Sequence, residues 1–350
     1  MLTRFIDKFI QRVAFVIMLC MMMAACSDSD DDAVGTDDVS VAFTLTVADA
    51  TSTRADNDGW DDYSPAQDGI LNENLVNTDD IIIAIYDDKG NKVDNVEDLR
   101  VTTVSDPSIT GATMYAITGV WRNAKPNVDK AKRVMVIANS NVSAWGDPSL
   151  LTYDLNPGMR KYIPMWGVVK IPATLTLGKQ NKLPDIQMLR AMAKVSVSLR
   201  TDMTQYGYAI GSMTVNNYNT KGYCVPKTFN EVDNTSEVRF ANSLNVLDSH
   251  ADNIALSTTA PLYLPEYDNS GTNPTTITVN LNRNGSLEGT YTLEFRNYDS
   301  DGKPTGSTYP IQRNHYYQYL IYKETGKIIV TLHVRKWNRR IYPENDGIIM

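Results

Sequence analysis

Few residues in this chain have the types and spacing that chemistry demands. Nucleophile elbows of the Gly-x-Ser-x-Gly kind and His-Glu-x-x-His zinc helices do not occur in it. Gly178-Lys179 and Gly326-Lys327 lack the upstream glycine that a phosphate cradle needs. The three histidines, His250, His315 and His333, stand far apart and read as surface or half-buried side chains. Asp56-Asn57-Asp58-Gly59 with Asp61-Asp62 has a calcium-loop flavour, but a twelve-residue loop framed on it would begin at Arg54 and end at Pro65. Neither is a ligand, so a solvated acidic loop is expected. The expectation is therefore no catalytic residue, no metal site and no cofactor: the protein is not an enzyme.

Two residues do carry chemistry, Cys26 and Arg54. Arg4, Lys8 and Arg12 give a basic start, and Val13 to Ala25 follows without a charge. That apolar run is shorter than the ~20 residues a spanning helix needs, and it suits a secretory signal over residues 1–25. Met23-Ala24-Ala25-Cys26 resembles the lipobox of bacterial lipoproteins, with Met23 where leucine is preferred, and implies palmitate or a related acyl chain on Cys26. Residues 26–38 then hold six Asp, an acidic tether that cannot bury enough surface to offset its ordering entropy. Losing the leader's net +2 takes the chain from −8 to −10. Such a protein is a poor partner for nucleic acid, whose binding rests on phosphate neutralisation. Of three cysteines, Cys20 leaves with the leader and Cys26 takes the lipid, so Cys224 alone remains and no internal disulfide is available.

Period-two alternation dominates the rest. Val39, Val41, Phe43, Leu45 and Val47 are apolar with Ser40, Ala42, Thr44 and Thr46 between them, the pattern of a half-buried strand. Similar runs are Ile81 to Tyr86, Arg133 to Ala138, Val195 to Leu199, Thr276 to Leu281, Thr290 to Phe295, His315 to Tyr322 and Lys327 to Val334. Asp87-Asp88-Lys89-Gly90, Asn284-Gly285, Asp301-Gly302 and Thr325-Gly326 supply turns between many of them. One short helix is expected over Asn123 to Lys132. Many strands without a βαβ rhythm predict an all-β protein of antiparallel sandwiches. The stretch Leu177 to Asp185 marks a divide, giving an N-terminal sandwich domain over 39–187 and a C-terminal one over 188–350. Tyrosines such as Tyr316, Tyr317, Tyr319 and Tyr322 sit on strand alternation and are expected to pack rather than bind ligand. Trp60, Trp121 and Trp145 are the candidates for a sugar-stacking platform.

Arg54 is the only basic residue between Cys26 and Lys89. It lies in Ala48 to Gly59, a small, polar stretch of the kind that stays open to nicking. A trypsin-like protease thus has one obvious cut here, Arg54-Ala55. That cut would sever lipid, tether and first strand from the rest and leave a strand-shaped template. Otherwise Arg54 is a solvated loop residue on a permanently anchored lipoprotein.

Five local patterns, in order, resemble the fimbrillin family that builds the protease-matured pili of Bacteroidetes. They are Ile81 to Gly90, Val134 to Asn139, Ile163-Pro164-Met165-Trp166-Gly167, Leu189-Arg190-Ala191-Met192-Ala193-Lys194-Val195, and Tyr309 to Tyr317. Ile328 to Trp337 is similar to the family's final strand. The resemblance implies two transthyretin-like β-sandwich domains in tandem and lipid-dependent export to the outer membrane. It also implies Arg-specific maturation and polymerisation at the cell surface by donor-strand exchange, giving a fimbrium (pilus) that supports cell adhesion. Partners would be other fimbrial subunits, the maturation protease, and host or bacterial surface ligands. Lys327 to Val334 is expected either to serve the next subunit or to be a resident edge strand. The alternatives for the whole chain are a lipid-retaining anchor subunit and a glycan- or nutrient-binding surface lipoprotein.

Overall fold

Alternation over Val39–Val47 produces a strand, β1, but one buried on both faces rather than one. Its neighbours explain why. In a computed structural model of the chain, β1 lies in the interior of a sheet with the order β3-β2-β6-β7-β9-β1-β5-β4. The structure describes residues 34–47, 71–105, 113–140, 150–155, 161–227, 229–231, 238–240, 244–258 and 260–336. The strands are β2 (Ile81–Tyr86), β3 (Lys92–Asn95), β4 (Glu97–Ser105), β5 (Thr113–Trp121), β6 (Arg133–Ala138), β7 (Met165–Lys170), β8 (Gln180–Lys182) and β9 (Ile186–Arg190). With a strand on either side, the small Ser40, Ala42 and Thr44 are covered along with the large apolar residues.

The sheet folds over itself because β9 changes layers. Ile186 to Met188 pair with Leu45 to Val47 of β1, whereas Leu189 and Arg190 pair with Trp166 and Met165 of β7. The two layers enclose one core, in which Val41, Phe43 and Leu45 of β1 meet Ile83, Ile85, Val134, Val136 and Ile117. The β2-β6-β7 layer is buried on its other face as well, through Ala84, Tyr86, Met135, Ile137, Trp166 and Val168. Two-sided burial is the reason Ile81–Tyr86 and Arg133–Ala138 carry apolar residues in succession rather than in alternation.

That second face packs on a second sandwich. One layer is β13 (Leu262–Leu264), β10 (Ala193–Leu199), β16 (His315–Glu324) and β17 (Lys327–Lys336). The other is β12 (Ile254–Leu256), β11 (Tyr208–Asn216), β14 (Thr276–Arg283) and β15 (Ser286–Glu294). Val195, Tyr317, Tyr319 and Ile321 of the first layer meet Val215, Ile277, Val279 and Leu293 of the second. Among the described residues the fold is all-β apart from short 3-10 turns and α1 (Thr201–Gln205).

Several expectations change here. Pairing is not purely antiparallel: β1 runs parallel to β8 and β9, and β10 runs parallel to β16. Parallel neighbours need a long crossover, and the other layer of each sandwich supplies it. The Leu177 to Asp185 stretch contributes β8 to the first sheet, and β9 spans the expected divide at 187/188. The helix expected over Asn123 to Lys132 is only a 3-10 turn at Val128–Lys130, since Asn123 has positive φ and Pro126 interrupts any earlier start. Trp121 is no sugar platform, because it is fully buried and its indole N–H donates to Asp94 at 2.9 Å. β17 is a resident edge strand, paired with β16 along its whole length. Gly302, at φ +72, lets the turn before Pro304 lie against the β17 backbone, where a Cβ would come within 2.8 Å of the Val330 nitrogen. This covers part of that strand.

Close packing at the layer change makes a stability prediction. A Cβ on Gly167 would meet Ile186, the Gln187 carbonyl oxygen and Met188 at 2.7–2.8 Å, and the backbone oxygen cannot swing away. Gly167→Ala is expected to lose about 1–3 kcal/mol by overpacking, read as a lower urea midpoint at unchanged slope.

Candidate assembly site

The site with functional content is β1 and the slot that holds it. β5 borders one side of the slot, antiparallel from Val39 opposite Trp121 to Leu45 opposite Tyr115. On the other side β8 runs beside Ser40 to Ala42 and β9 beside Leu45 to Val47. Asn181 helps to join them: its side-chain amide donates to the carbonyls of Ser40, Thr176 and Lys179 at 2.9–3.1 Å. Val39, Val41, Phe43, Leu45 and Val47 fill the core side of the slot and are each at most 5% exposed.

The acidic stretch before β1 was expected to be solvated throughout, and its end is not. Asp38 is buried and accepts hydrogen bonds from the Asn123 backbone N–H and the Arg122 guanidinium, each at 2.9 Å. These two donors, the Asn123 N–H foremost, hold its carboxyl below the usual range. Asp37 pairs with Lys125 at 3.0 Å. The entrance to β1 is therefore clasped by charge while the strand itself is held by burial.

Beyond residue 70 the chain is gripped again. Glu73, in the turn Leu71–Asn74, is fully buried, with Lys194 Nζ at 2.8 Å and the Tyr263 hydroxyl donating to it at 2.8 Å. Arg190 donates from Nε to the Glu73 carbonyl at 3.2 Å and from Nη1 to Asn314 at 3.1 Å, and it also bonds Asn74. A second buried pair, Arg313 with Glu266 at 2.7 Å, ties in the carbonyls of Tyr223 and Cys224. Sequence reasoning singled out neither cluster. The visible signal was a pair of cations, Arg190 and Lys194, set in the apolar run Leu189 to Val195.

Cys224 is a core thiol, buried and pushed up to about 12 by desolvation, so it carries no nucleophile at neutral pH. Among the described residues no three metal-binding side chains converge. Cys26, Arg54, Ala55, the leader, the acidic loop 56–62, Trp60, Trp145 and Trp337 lie outside the described residues.

No protein-family model matches the chain, and no curated protein matches it. Solved structures that it is similar to include fimbrial and cell-adhesion proteins. The tip fimbrial protein Mfa3 from Porphyromonas gingivalis, with C-terminal truncation, is 15% identical at a TM-score of 0.48, over 86% of this chain and 100% of its own. A fimbrial assembly protein from Parabacteroides distasonis is 12% identical at 0.47, over 85% and 96%. A proposed cell-adhesion protein from Bacteroides uniformis is 13% identical at 0.47, over 85% and 98%.

The buried Glu73–Lys194 pair gives a second prediction. Glu73→Ala strands a cation in the interior and is expected to cost about 3–5 kcal/mol in chemical denaturation. Glu73→Leu combined with Lys194→Met is expected to recover most of that loss.

Proposed function

We propose that this chain is a structural subunit of a surface fimbrium that serves cell adhesion. In this reading it is exported as a lipoprotein through Cys26, cut by an Arg-specific protease at Arg54-Ala55, and polymerised by donor-strand exchange. The observation that carries the reading is the position of β1. The strand lies inside the sheet, yet its covalent connection to the rest of the fold runs only through residues 48–70. A cut at Arg54 would leave β1 held by hydrogen bonds, burial and the Asp38 clasp alone.

Magnitudes say what kind of exchange this allows. Burying one large aliphatic or aromatic side chain stabilises by roughly 1.5–3 kcal/mol, so the β1 row contributes on the order of 10 kcal/mol. Spontaneous loss into water is therefore slow and unfavourable. Replacement by a second strand with the same alternation restores that burial and the ladder to β5, so the net change is small. The exchange is best run residue by residue, one strand entering as the other leaves. Release of β1 exposes a slot with one row of pockets for apolar side chains and small positions between them, which sets the pattern an entering strand must match.

The partners in this proposal are other fimbrial subunits and the protease, at the cell surface. Purified lipid-free protein treated with an Arg-specific protease is expected to release the segment ending at Arg54 and to form a ladder of stable oligomers. Arg54→Gln is expected to stay monomeric under the same treatment. A clean cut at Arg54 that leaves a monomer with β1 still bound would overturn the proposal.

A further inference from the structure

The two residues before β1 make every polar contact available to them at one end of the slot. The Asp38 carbonyl accepts the Gly178 N–H at 2.8 Å, and the Asp37 carbonyl accepts the Lys125 N–H at 3.2 Å. The Asp38 carboxylate takes the Asn123 N–H and the Arg122 guanidinium, and the Asp37 carboxylate faces Lys125 Nζ. Three main-chain donors and two cations therefore converge on Asp37 and Asp38.

All of these donors belong to the part of the fold that stays behind when β1 leaves. Arg122, Asn123 and Lys125 follow β5 directly, and Gly178 leads into β8. Asn123 has φ +51, a left-handed turn that asparagine tolerates and that closes the strand. Asp98, on β4, pairs with the other side of the Arg122 guanidinium and also stays. Departure of the segment that carries Asp37 and Asp38 thus leaves two cations against one carboxylate.

What an entering strand restores depends on its sequence at this point. Any extended backbone brings carbonyls, so the Gly178 and Lys125 N–H groups can be satisfied by whatever strand arrives. The Asn123 N–H and the Arg122 guanidinium are different, because their acceptor is a side chain. A donor left without its acceptor loses stability, and a bond to an ionised acceptor is roughly twice as strong as a neutral one. The Asp38 side chain is 12% exposed, so water replaces it poorly.

We propose that Arg122 and the Asn123 N–H set the specificity of the slot: the strand it accepts from another subunit carries an acidic side chain directly before its alternating apolar run. This requirement rests on the strand replacement proposed above and states what the replacement must look like. It also gives the exchange an order. Residues 48–70 lie beyond Val47, so replacement opened by a cut there starts at the Val47 end and reaches Asp38 last. One carboxylate then succeeds another in the final step.

The test uses the lipid-free full chain with the recognition sequence of a site-specific protease placed within residues 48–70, cut there and kept in native buffer. Excess fluorescent peptide with the sequence of residues 38–47 is added, alongside its Asp38→Asn and Asp38→Lys forms. The rate at which each is released again, once taken up, is then measured. The aspartate-led peptide is expected to leave about tenfold more slowly than the lysine-led one, with the asparagine-led one between them. In Arg122→Glu, a change at a side chain that is 44% exposed, the order of the aspartate-led and lysine-led peptides is expected to reverse. Equal release of all three, or an order that Arg122→Glu leaves unchanged, would overturn the specificity while leaving strand replacement intact. If no peptide enters at millimolar concentration, strand replacement and the specificity fall together.

Discussion

The pairing of β1 with β5 on one side and with β8 and β9 on the other is the contact on which the first sandwich depends. β9 reaches the second layer from its place beside β1, so β1 joins the two halves of a sheet that folds back over one core. Without it β5 and β4 would share no ladder with the other strands of that sheet. A strand this central is normally fixed by short connections at both ends. Here the connection onward, residues 48–70, is a largely polar stretch containing a single arginine.

Other parts of the molecule are anchored by contacts that do not involve β1. Glu73 and Asn74 are anchored by Arg190, and Glu73 by Lys194 and Tyr263 as well, so the chain after residue 70 is fixed independently of β1. The β2-β6-β7 layer is buried against the second sandwich through Tyr86, Met135 and Trp166, an apolar contact that does not involve β1. Buried ion pairs of this kind contribute little net stability over an apolar replacement, but breaking one partner is costly. They set which segments sit where rather than how tightly the whole holds.

Much of this was legible in the sequence, and the limits have physical causes. Alternation located β1 to its end residues, because a period of two is a local property of the pleat. Alternation could not say that Ser40 and Thr44 would be covered too, since that follows from which strands lie beside β1. The parallel pairs were hidden for the same reason. Arg190 and Glu73 are 117 positions apart, and nothing local to either announces the other. The acidic stretch read correctly as charged but not as docked at Asp38, whose donors, Arg122 and Asn123, arrive from the turn after β5. Arg54 itself stood out only because basic residues are missing around it.

The central claim is that the slot beside β5 is filled by a replaceable strand. Hydrogen exchange at those β5 amides between Tyr115 and Trp121 that face β1, every second one, measures the filling directly. Those amides should exchange slowly in the uncut chain. They should exchange quickly once the cut segment has been stripped away in mild denaturant and the monomer returned to buffer, and slowly again in the assembled oligomer. If the stripped monomer protects them as well as the uncut chain does, the sheet closes without β1, and the slot has no need of a partner's strand.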